Sequence, residues 1–272
     1  MTDFLCPVCQ NPLQEDHTRL TCRNGHSFDR AAEGYVNLLL ATDKRSKVPG
    51  DNKQMVQARH SFLQSGVYAP VRKAIAEAVR VVTAGGTVLD CGCSEGYYTA
   101  AVFSELQAKN IGAEVIGIDI SKFALKRAAK DNRRIRFAVA SAYRLPVADR
   151  SIDTFLSVFA PVSASEVFRT VKENGHLVVA VPGAMHLYGL KKVLYDEVFI
   201  REVKIPAVDG FGIVDEKTVS YETELTDHRL IDDLLLMTPY YYKSSPEAKA
   251  RIQAISALQT EIDVRILTYA RK

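Results

Sequence analysis

The stretch LDCGCSEGYY, Leu89 to Tyr98, decides the fold of this 272-residue chain. It joins TVLDC, an apolar run typical of a buried strand, to YYTAAVFSELQ, which has the pattern of a helix. Two hypotheses compete for its function. Cys91 and Cys93 lie one residue apart, which suggests a metal site, whereas Gly92 and Gly96 suggest a loop that brings the backbone close to a nucleotide.

Strand and helix patterns alternate after this stretch. EVIGID, IRFAVA, TFLSVFA and HLVVAVP are predicted strands, and SKFALKRAAK and SEVFRTVK are predicted helices between them. Ser121 is the predicted N-cap of the first of these helices. Such β-α repeats with apolar strands predict a parallel sheet covered on both faces. Two late strands, near residues 212–225 and at IDVRILTYA, extend it to a seven-stranded, doubly wound, Rossmann-like α/β sheet.

The metal hypothesis for Cys91 and Cys93 fails because no other cysteine is available to complete a shell around them. We expect both thiols to pack as small apolar side chains.

The glycine loop instead predicts a cofactor site, because ligands of doubly wound sheets bind beyond the carboxyl ends of the strands. Asp90 ends the strand, Gly92 permits the turn, and Gly96 relieves crowding at the start of the helix. Asp119 ends the next strand, where an acid accepts hydrogen bonds from ribose hydroxyls. The pattern D-x-G-x-S-x-G is closer to that of S-adenosylmethionine enzymes than to the dinucleotide motif G-x-G-x-x-G.

Near the N-terminus, Cys6 and Cys9 form a C-x2-C pair, followed after twelve residues by Cys22 and then His26. Two such knuckles supply the four ligands of a tetrahedral zinc site. His17 is an alternative fourth ligand, but it lies between the knuckles, so we prefer His26. A closed shell of four protein ligands predicts a structural zinc ion.

Charge and hydropathy narrow the class of protein. The net charge of +3 does not by itself indicate a nucleic-acid partner, although basic residues cluster at residues 44–59 and 126–136. No apolar run reaches the length of about 18 residues that a membrane span needs. The N-terminus lacks the pattern of a secretion signal, so we expect a cytoplasmic protein.

Several segments occur together in one order: CPVC, CRNGHSFDRAAEGYVNLL, KRSKVPGDNKQMVQARHSFLQSGVY, LDCGCSEGYY, ASAYRLPVADRSID, FAP and MTPYYY. In these segments the chain resembles the bacterial 23S ribosomal RNA (guanine-N1-)-methyltransferases over nearly its whole length. The resemblance implies a zinc ribbon at residues 1–42, a basic linker and helix at 43–66, and a class I methyltransferase domain at 67–272. It also implies S-adenosylmethionine as cofactor, a hairpin loop of 23S rRNA as substrate, and a homodimer.

The resemblance implies roles for individual residues. Zinc would be bound by Cys6, Cys9, Cys22 and His26. Cofactor contacts would come from Tyr68, Ser94, Glu95, Gly96, Asp119, Ala140, Ser141 and His186, in addition to Asp90 and Gly92 of the loop pattern itself. Phe159, Ala160 and Pro161 would hold the target base. The positive charge of the linker next to the ribbon, and not the resemblance, predicts RNA contacts at Lys44, Arg45, Lys47 and Arg59. The chain has Ser94 where the family usually has glycine.

Some assignments stay open at this point. Tyr68 and His186 also suit a purely structural role, and Tyr240 to Tyr242 suit either the core or a platform for an unpaired base. No residue stands out as the acceptor of the guanine N1 proton. Two rival functions remain, a methyltransferase for a small metabolite and a non-catalytic zinc-containing RNA-binding protein with a degenerate cofactor loop.

Overall fold

The computed structural model describes residues 4–43, 49–200 and 202–272. The N-terminal ribbon is a three-stranded antiparallel sheet of β1 (Leu13–Glu15), β2 (Arg19–Cys22) and β3 (Ser27–Asp29). A short strand, β4 (Val36–Asn37), and a 3₁₀ turn, Ala41–Asp43, follow it. Of the described residues, none forms a helix that is both long and apolar enough to cross a bilayer.

The remaining elements alternate between helix and strand for most of the chain. They are α1 (Lys53–Gln64), α2 (Ala69–Val82), β5 (Gly86–Cys91), α3 (Tyr97–Ala108), β6 (Ala113–Asp119), α4 (Lys122–Asp131), β7 (Arg136–Val139), β8 (Ile152–Val158), α5 (Ala164–Thr170), β9 (Val171–Pro182), α6 (Tyr188–Leu194), β10 (Phe211–Leu225), α7 (His228–Leu236), α8 (Tyr240–Lys243), α9 (Pro246–Ala254) and β11 (Leu258–Arg271).

The main sheet has the strand order β10-β11-β9-β8-β5-β6-β7-β4. Strands β5 to β9 pair in parallel, and β11 and β10 add to the β9 edge as antiparallel strands. The predicted seven-stranded mixed sheet and its doubly wound order are therefore confirmed. The number of strands is larger by one, because β4 pairs in parallel with β7 at the opposite edge. A strand of two residues has no periodicity, so no pattern in the sequence predicts it.

Capping residues set the starts of the helices that surround the site. Asn52 accepts a hydrogen bond from the backbone N–H of Met55 at 3.0 Å, and this bond begins α1. Ser121 accepts from the N–H of Ala124 at 3.2 Å and begins α4, as predicted. These side-chain acceptors satisfy N–H groups that the first helical turn leaves unpaired.

The ribbon is packed directly against the main sheet. Phe4 is 1% exposed, its ring lies 4.6 Å from the guanidinium carbon of Arg136 on β7, and Leu5 donates to the carbonyl of Pro146. Ribbon and sheet side chains form one hydrophobic cluster, which includes Leu20 and Ile116. Zinc binding and the fold of the main sheet are therefore physically connected.

Candidate functional site

A cavity of about 910 Å³ opens at the carboxyl ends of the parallel strands. Its walls come from the loops after β5, β6, β7, β8 and β9, while α1 and the segment after α7 cover it. The predicted site residues that line it are Tyr68, Asp90, Gly92, Ser94, Glu95, Asp119, Ala140, Ser141, Phe159, Ala160, Pro161, His186 and Arg59. The structure thus brings most of the predicted cofactor and base residues to one cavity, of a size usual for ligand sites.

Glycine is required at positions 92 and 96 for different structural reasons. At Gly92, φ is +83°, and an added Cβ would lie 2.4 Å from the Cβ of Ala160. At Gly96, φ is +82°, and an added Cβ would lie 3.2 Å from Ala128 on α4. Gly92 therefore lets the cofactor loop touch the segment after β8, and Gly96, which does not line the cavity, lets α3 begin close to α4.

Ser94 adopts a left-handed conformation with φ of +49°, which disfavours residues with a Cβ. Two hydrogen bonds hold it there. Its N–H donates to Oδ2 of Asp119 at 2.9 Å, and its Oγ accepts from Nη1 of Arg59 at 2.9 Å. The Ser94 hydroxyl thus binds the guanidinium of Arg59 inside the cavity.

Asp119 holds the loops after β5 and β6 together. Its Oδ1 accepts from the N–H of Ser121 at 2.7 Å, and its Oδ2 accepts from Ser94. Burial raises the pKa of Asp119, and hydrogen bonds from the N–H groups of Ser121 and Ser94 oppose that rise. A carboxylate oxygen has two lone pairs, so both oxygens keep capacity for ribose hydroxyls.

Asp90 and Glu95 carry buried oxygen atoms that have no hydrogen-bond partner in the described part of the chain. Oδ2 of Asp90 accepts from Thr99 at 2.6 Å, but its Oδ1 and both Oε atoms of Glu95 have none. Burial raises the pKa of Asp90 to about 7, and burial also raises the pKa of Glu95. Unpaired buried carboxylates are costly, so they indicate a ligand that brings donors and positive charge. S-adenosylmethionine, with its ammonium and sulfonium groups, fits this set.

Aromatic rings form one part of the cavity wall. Nδ1 of His186 accepts from the N–H of Asp263 at 3.2 Å, so the neutral ring carries its proton on Nε2, which lies 3.2 Å from the hydroxyl of Tyr68. Burial lowers the pKa of His186 to about 4, which keeps the ring neutral. His186 stacks on Phe159 with ring centroids 5.7 Å apart. Because Nε2 of His186 donates to the Tyr68 oxygen, the Tyr68 O–H can donate to another acceptor in the cavity.

The predicted RNA-contact residues divide into two groups. Lys44, Arg45 and Lys47 lie outside the described residues. Arg59, in contrast, lies inside the cavity rather than on an outer surface, since it contacts Asp51, Ser94 and the carbonyl of Met237.

The segment that precedes α1 is held against the cofactor loops. The Oγ of Ser121 donates to the carbonyl of Asp51 at 2.6 Å, and an added Cβ on Gly50 would lie 2.8 Å from Ile120. Residues 49–66 therefore cover the cavity. The prediction of a basic linker and helix at residues 43–66 did not include this position.

The four predicted zinc ligands converge in the ribbon. Their ligand atoms all lie within 4.8 Å of one another, with 3.7 Å between Sγ of Cys9 and Cys22 and 3.4 Å between Sγ of Cys22 and Nδ1 of His26. A tetrahedron with Zn–S bonds of about 2.3 Å has S···S edges of about 3.8 Å, so the set fits a zinc ion. His17 is exposed and outside this cluster.

Hydrogen bonds prepare one of these ligands for a metal. A hydrogen bond from the backbone N–H of Asn11 lowers the pKa of Cys9 to about 6. The side-chain amide of Asn11 also donates to Sγ of Cys9 at 3.2 Å. Cys9 is therefore ionised at neutral pH, as a metal ligand must be.

Cys91 and Cys93 are not metal ligands in this structure. Both are at least 95% buried, and they belong to two different hydrophobic clusters. Burial raises the pKa of both thiols, which keeps them protonated and inert.

The three consecutive tyrosines also have separate environments. Tyr240 and Tyr241 pack on the core, whereas Tyr242 is 57% exposed and its hydroxyl accepts from Asn52 at 3.0 Å. Tyr242 is thus the one of the three whose ring faces solvent.

Some lining residues escaped the sequence analysis, above all Met55, Tyr143, Met237 and Lys243. Met55 had a signal, since it lies four residues before Arg59 and hence on the same helical face. Tyr143 is 62% exposed in a loop without a periodic pattern.

Two family models match the chain. The model of a zinc ribbon described as "RlmA, N-terminal" matches residues 4–47, and the model described as "Methyltransferase domain" matches residues 83–208. The first match includes β1 to β4, and the second includes β5 to α6.

Curated relatives match over most of the chain. A protein of Streptomyces fradiae named 23S rRNA (guanine(748)-N(1))-methyltransferase is 33% identical over 257 residues, which cover 90% of this chain and 88% of the relative. Two further relatives are provisionally named as 23S rRNA (guanine-N(1)-)-methyltransferases. The one from Micromonospora griseorubida is 37% identical and covers 68% of this chain and 67% of its own length. The one from Bacillus subtilis strain 168 is 30% identical, and the match covers 97% of this chain and 95% of the relative.

Proposed function

Because this chain belongs to the family of 23S rRNA (guanine-N1-)-methyltransferases, we propose that it methylates N1 of a guanine in a hairpin loop of 23S rRNA. S-adenosylmethionine supplies the electrophilic methyl group, and zinc has a structural role in the ribbon. We propose that the residues predicted from the sequence to contact the cofactor do so, and that those predicted to hold the target base hold it.

One observation carries the choice of RNA over a metabolite. Arg144 donates to the carbonyl of Pro7, between the two cysteines of the first zinc knuckle, at 2.9 Å. Its neighbour Tyr143 lines the cavity and is 62% exposed. The zinc ribbon therefore reaches the loop at the mouth of the cofactor cavity. A small metabolite gives no reason for this arrangement, whereas an RNA hairpin is large enough to contact ribbon and mouth together.

The chain's own residues would act mainly by position. Guanine N1 lies on the Watson–Crick edge, so the base must be unpaired before it enters the cavity. The close approach of Gly92 and Ala160 places the proposed base segment, Phe159 to Pro161, directly against the cofactor loop. The Phe159 ring, stacked on His186, offers a face for the base. This proximity supplies the main part of the rate enhancement.

Asp90, Glu95 and Asp119 would bind the cofactor. Their carboxyl groups surround the loop and complement the positive ammonium and sulfonium groups and the ribose hydroxyls. The Tyr68 hydroxyl, oriented by His186, would donate to an acceptor on the cofactor.

Tritium transfer from S-adenosylmethionine tests the proposed function. The labelled cofactor is incubated with naked 23S rRNA, with assembled large subunits and with a metabolite extract. Label in either RNA sample, and none in the extract, is the expected result. Label only in the extract would favour the metabolite enzyme, and no label anywhere would favour the non-catalytic RNA-binding protein.

The RNA contacts are proposed from sequence for Lys44, Arg45 and Lys47. Each phosphate that a basic residue neutralises adds about 0.7 to 0.9 to the slope of log affinity against log salt concentration. Alanine at all three positions should weaken rRNA binding and flatten this slope, while cofactor affinity is unchanged. Methylation equal to wild type at subsaturating RNA would contradict the contacts.

We also propose that the protein is a cytoplasmic homodimer. The family resemblance supports the dimer, and the rRNA substrate supports the cytoplasm. Light scattering after gel filtration should give twice the chain mass of 30.1 kDa, and a monomer mass at micromolar concentration would contradict the dimer.

A further inference from the structure

We propose that Arg59 binds the α-carboxylate of the methionine part of S-adenosylmethionine, rather than an RNA phosphate. This inference rests on the proposed function, since it assigns one more contact to the same cofactor. It concerns the one negatively charged group of the cofactor, which the carboxyl groups of the cavity cannot bind.

The charges of the cavity point to Arg59. Asp90, Glu95 and Asp119 suit the positive groups of the cofactor but repel its carboxylate. Among the described residues that line the cavity, two side chains are positive at neutral pH, Arg59 and Lys243. His186 is neutral there, because burial lowers its pKa to about 4.

The position of Arg59 separates it from Lys243. Arg59 donates to the Oγ of Ser94, inside the cofactor loop itself. Burial raises the pKa of Glu95 and of Asp119, and the positive charge of Arg59 opposes that rise at both carboxyls. The Arg59 side chain is only 22% exposed. Lys243 instead ends the short helix α8 and is exposed.

The contacts of the guanidinium show that it can accept a carboxylate in this place. Asp51 already pairs with Nη1, and Ser94 and the Met237 carbonyl take two further N–H groups. A guanidinium has five donors in a planar fork, so a second carboxylate can join or replace that of Asp51.

Calorimetric binding of two ligands tests the proposal. S-adenosylmethionine and decarboxylated S-adenosylmethionine differ only in the carboxylate. Wild type should prefer the complete cofactor by roughly 10- to 100-fold, the effect of a charged hydrogen bond. Arg59→Gln should lose this preference by weakening the complete cofactor alone. Arg59→Lys, which keeps the charge but not the fork, should be intermediate. Lys53→Gln, on an exposed position of the same helix, should keep the full preference.

The other outcomes are distinct. Equal weakening of both ligands in Arg59→Gln would show a purely structural role and overturn the proposal. If Arg59→Gln keeps the preference but binds an rRNA fragment more weakly, Arg59 contacts RNA and the proposal is wrong. If Arg59→Gln is unfolded in a thermal melt, the preference of Arg59→Lys decides, and a wild-type value would overturn the proposal. Failure of wild type to bind either ligand would refute the proposed cofactor instead.

Discussion

The backbone N–H of Ser94 donates to Oδ2 of Asp119 at 2.9 Å, and this bond joins the ends of the two neighbouring strands β5 and β6. Asp119 is therefore part of the loop architecture as well as a proposed partner of the ribose. Both of its oxygens take part in the loop architecture, since Oδ1 accepts from the N–H of Ser121, and each oxygen keeps a lone pair for a ribose hydroxyl.

Asp119→Ala should weaken binding of S-adenosylmethionine by about 1–3 kcal/mol, the cost of removing one partner from buried hydrogen bonds. Asp119→Asn keeps one carbonyl oxygen, so its loss of binding free energy should be smaller. Isothermal titration calorimetry measures both, with Asp215→Ala, an exposed carboxylate on β10, as the control. An unchanged dissociation constant in Asp119→Ala would contradict the assignment.

Gly92→Ala should damage the site, because its Cβ would lie 2.4 Å from the Cβ of Ala160 and its φ is positive. We expect cofactor binding to be weaker by roughly 5- to 150-fold, the result of a forced shift costing about 1–3 kcal/mol. Gly112→Ala is the matched control, since an added Cβ there meets nothing within 4 Å. Equal behaviour of the two variants in binding and thermal melts would refute the close contact.

Binding of S-adenosylmethionine should release a proton near pH 7. Burial raises the pKa of Asp90 to about 7, so this carboxyl is partly protonated in the free protein. The positive cofactor favours the carboxylate and lowers that pKa, so affinity should rise as pH increases from about 6 to 8. Calorimetry in buffers of different ionisation enthalpy measures the release, which Asp90→Asn should abolish. A pH-independent affinity in wild type would count against Asp90.

Purified protein should contain one zinc ion per chain, bound by the four ligands of the ribbon. Cys22→Ser should lower the melting temperature, because zinc binding contributes directly to folding and the ribbon shares a hydrophobic cluster with the main sheet. Methylation of rRNA should fall more than cofactor affinity does. Elemental analysis that finds no zinc in protein never exposed to chelator would contradict the site.

Local patterns in the sequence predicted the strands, the cofactor loop and the zinc cluster. Helices and buried strands carry strong periodicity, and the C-x2-C and C-x3-H spacings fix a ligand set on short loops. The N-cap role of Ser121 followed in the same way from its place before a helical pattern.

Long-range packing was what the sequence did not show. Strand β4 is two residues long and depends on its pairing with β7. Arg59 belongs to a basic segment that suggested RNA, yet the fold of residues 49–66 across the cavity places it beside Ser94. The charge of a residue is visible in a sequence, but the direction in which its helix presents it is set by tertiary contacts.

The most direct test of the account is the identity of the methylated nucleoside. 23S rRNA lacking the modification is incubated with the protein and S-adenosylmethionine, digested to nucleosides, and analysed by mass spectrometry. The account predicts 1-methylguanosine as the product, absent without protein and strongly reduced with Gly92→Ala. Methylation of another base or another atom of guanine, or no methylated nucleoside while the wild type binds the cofactor, would contradict it.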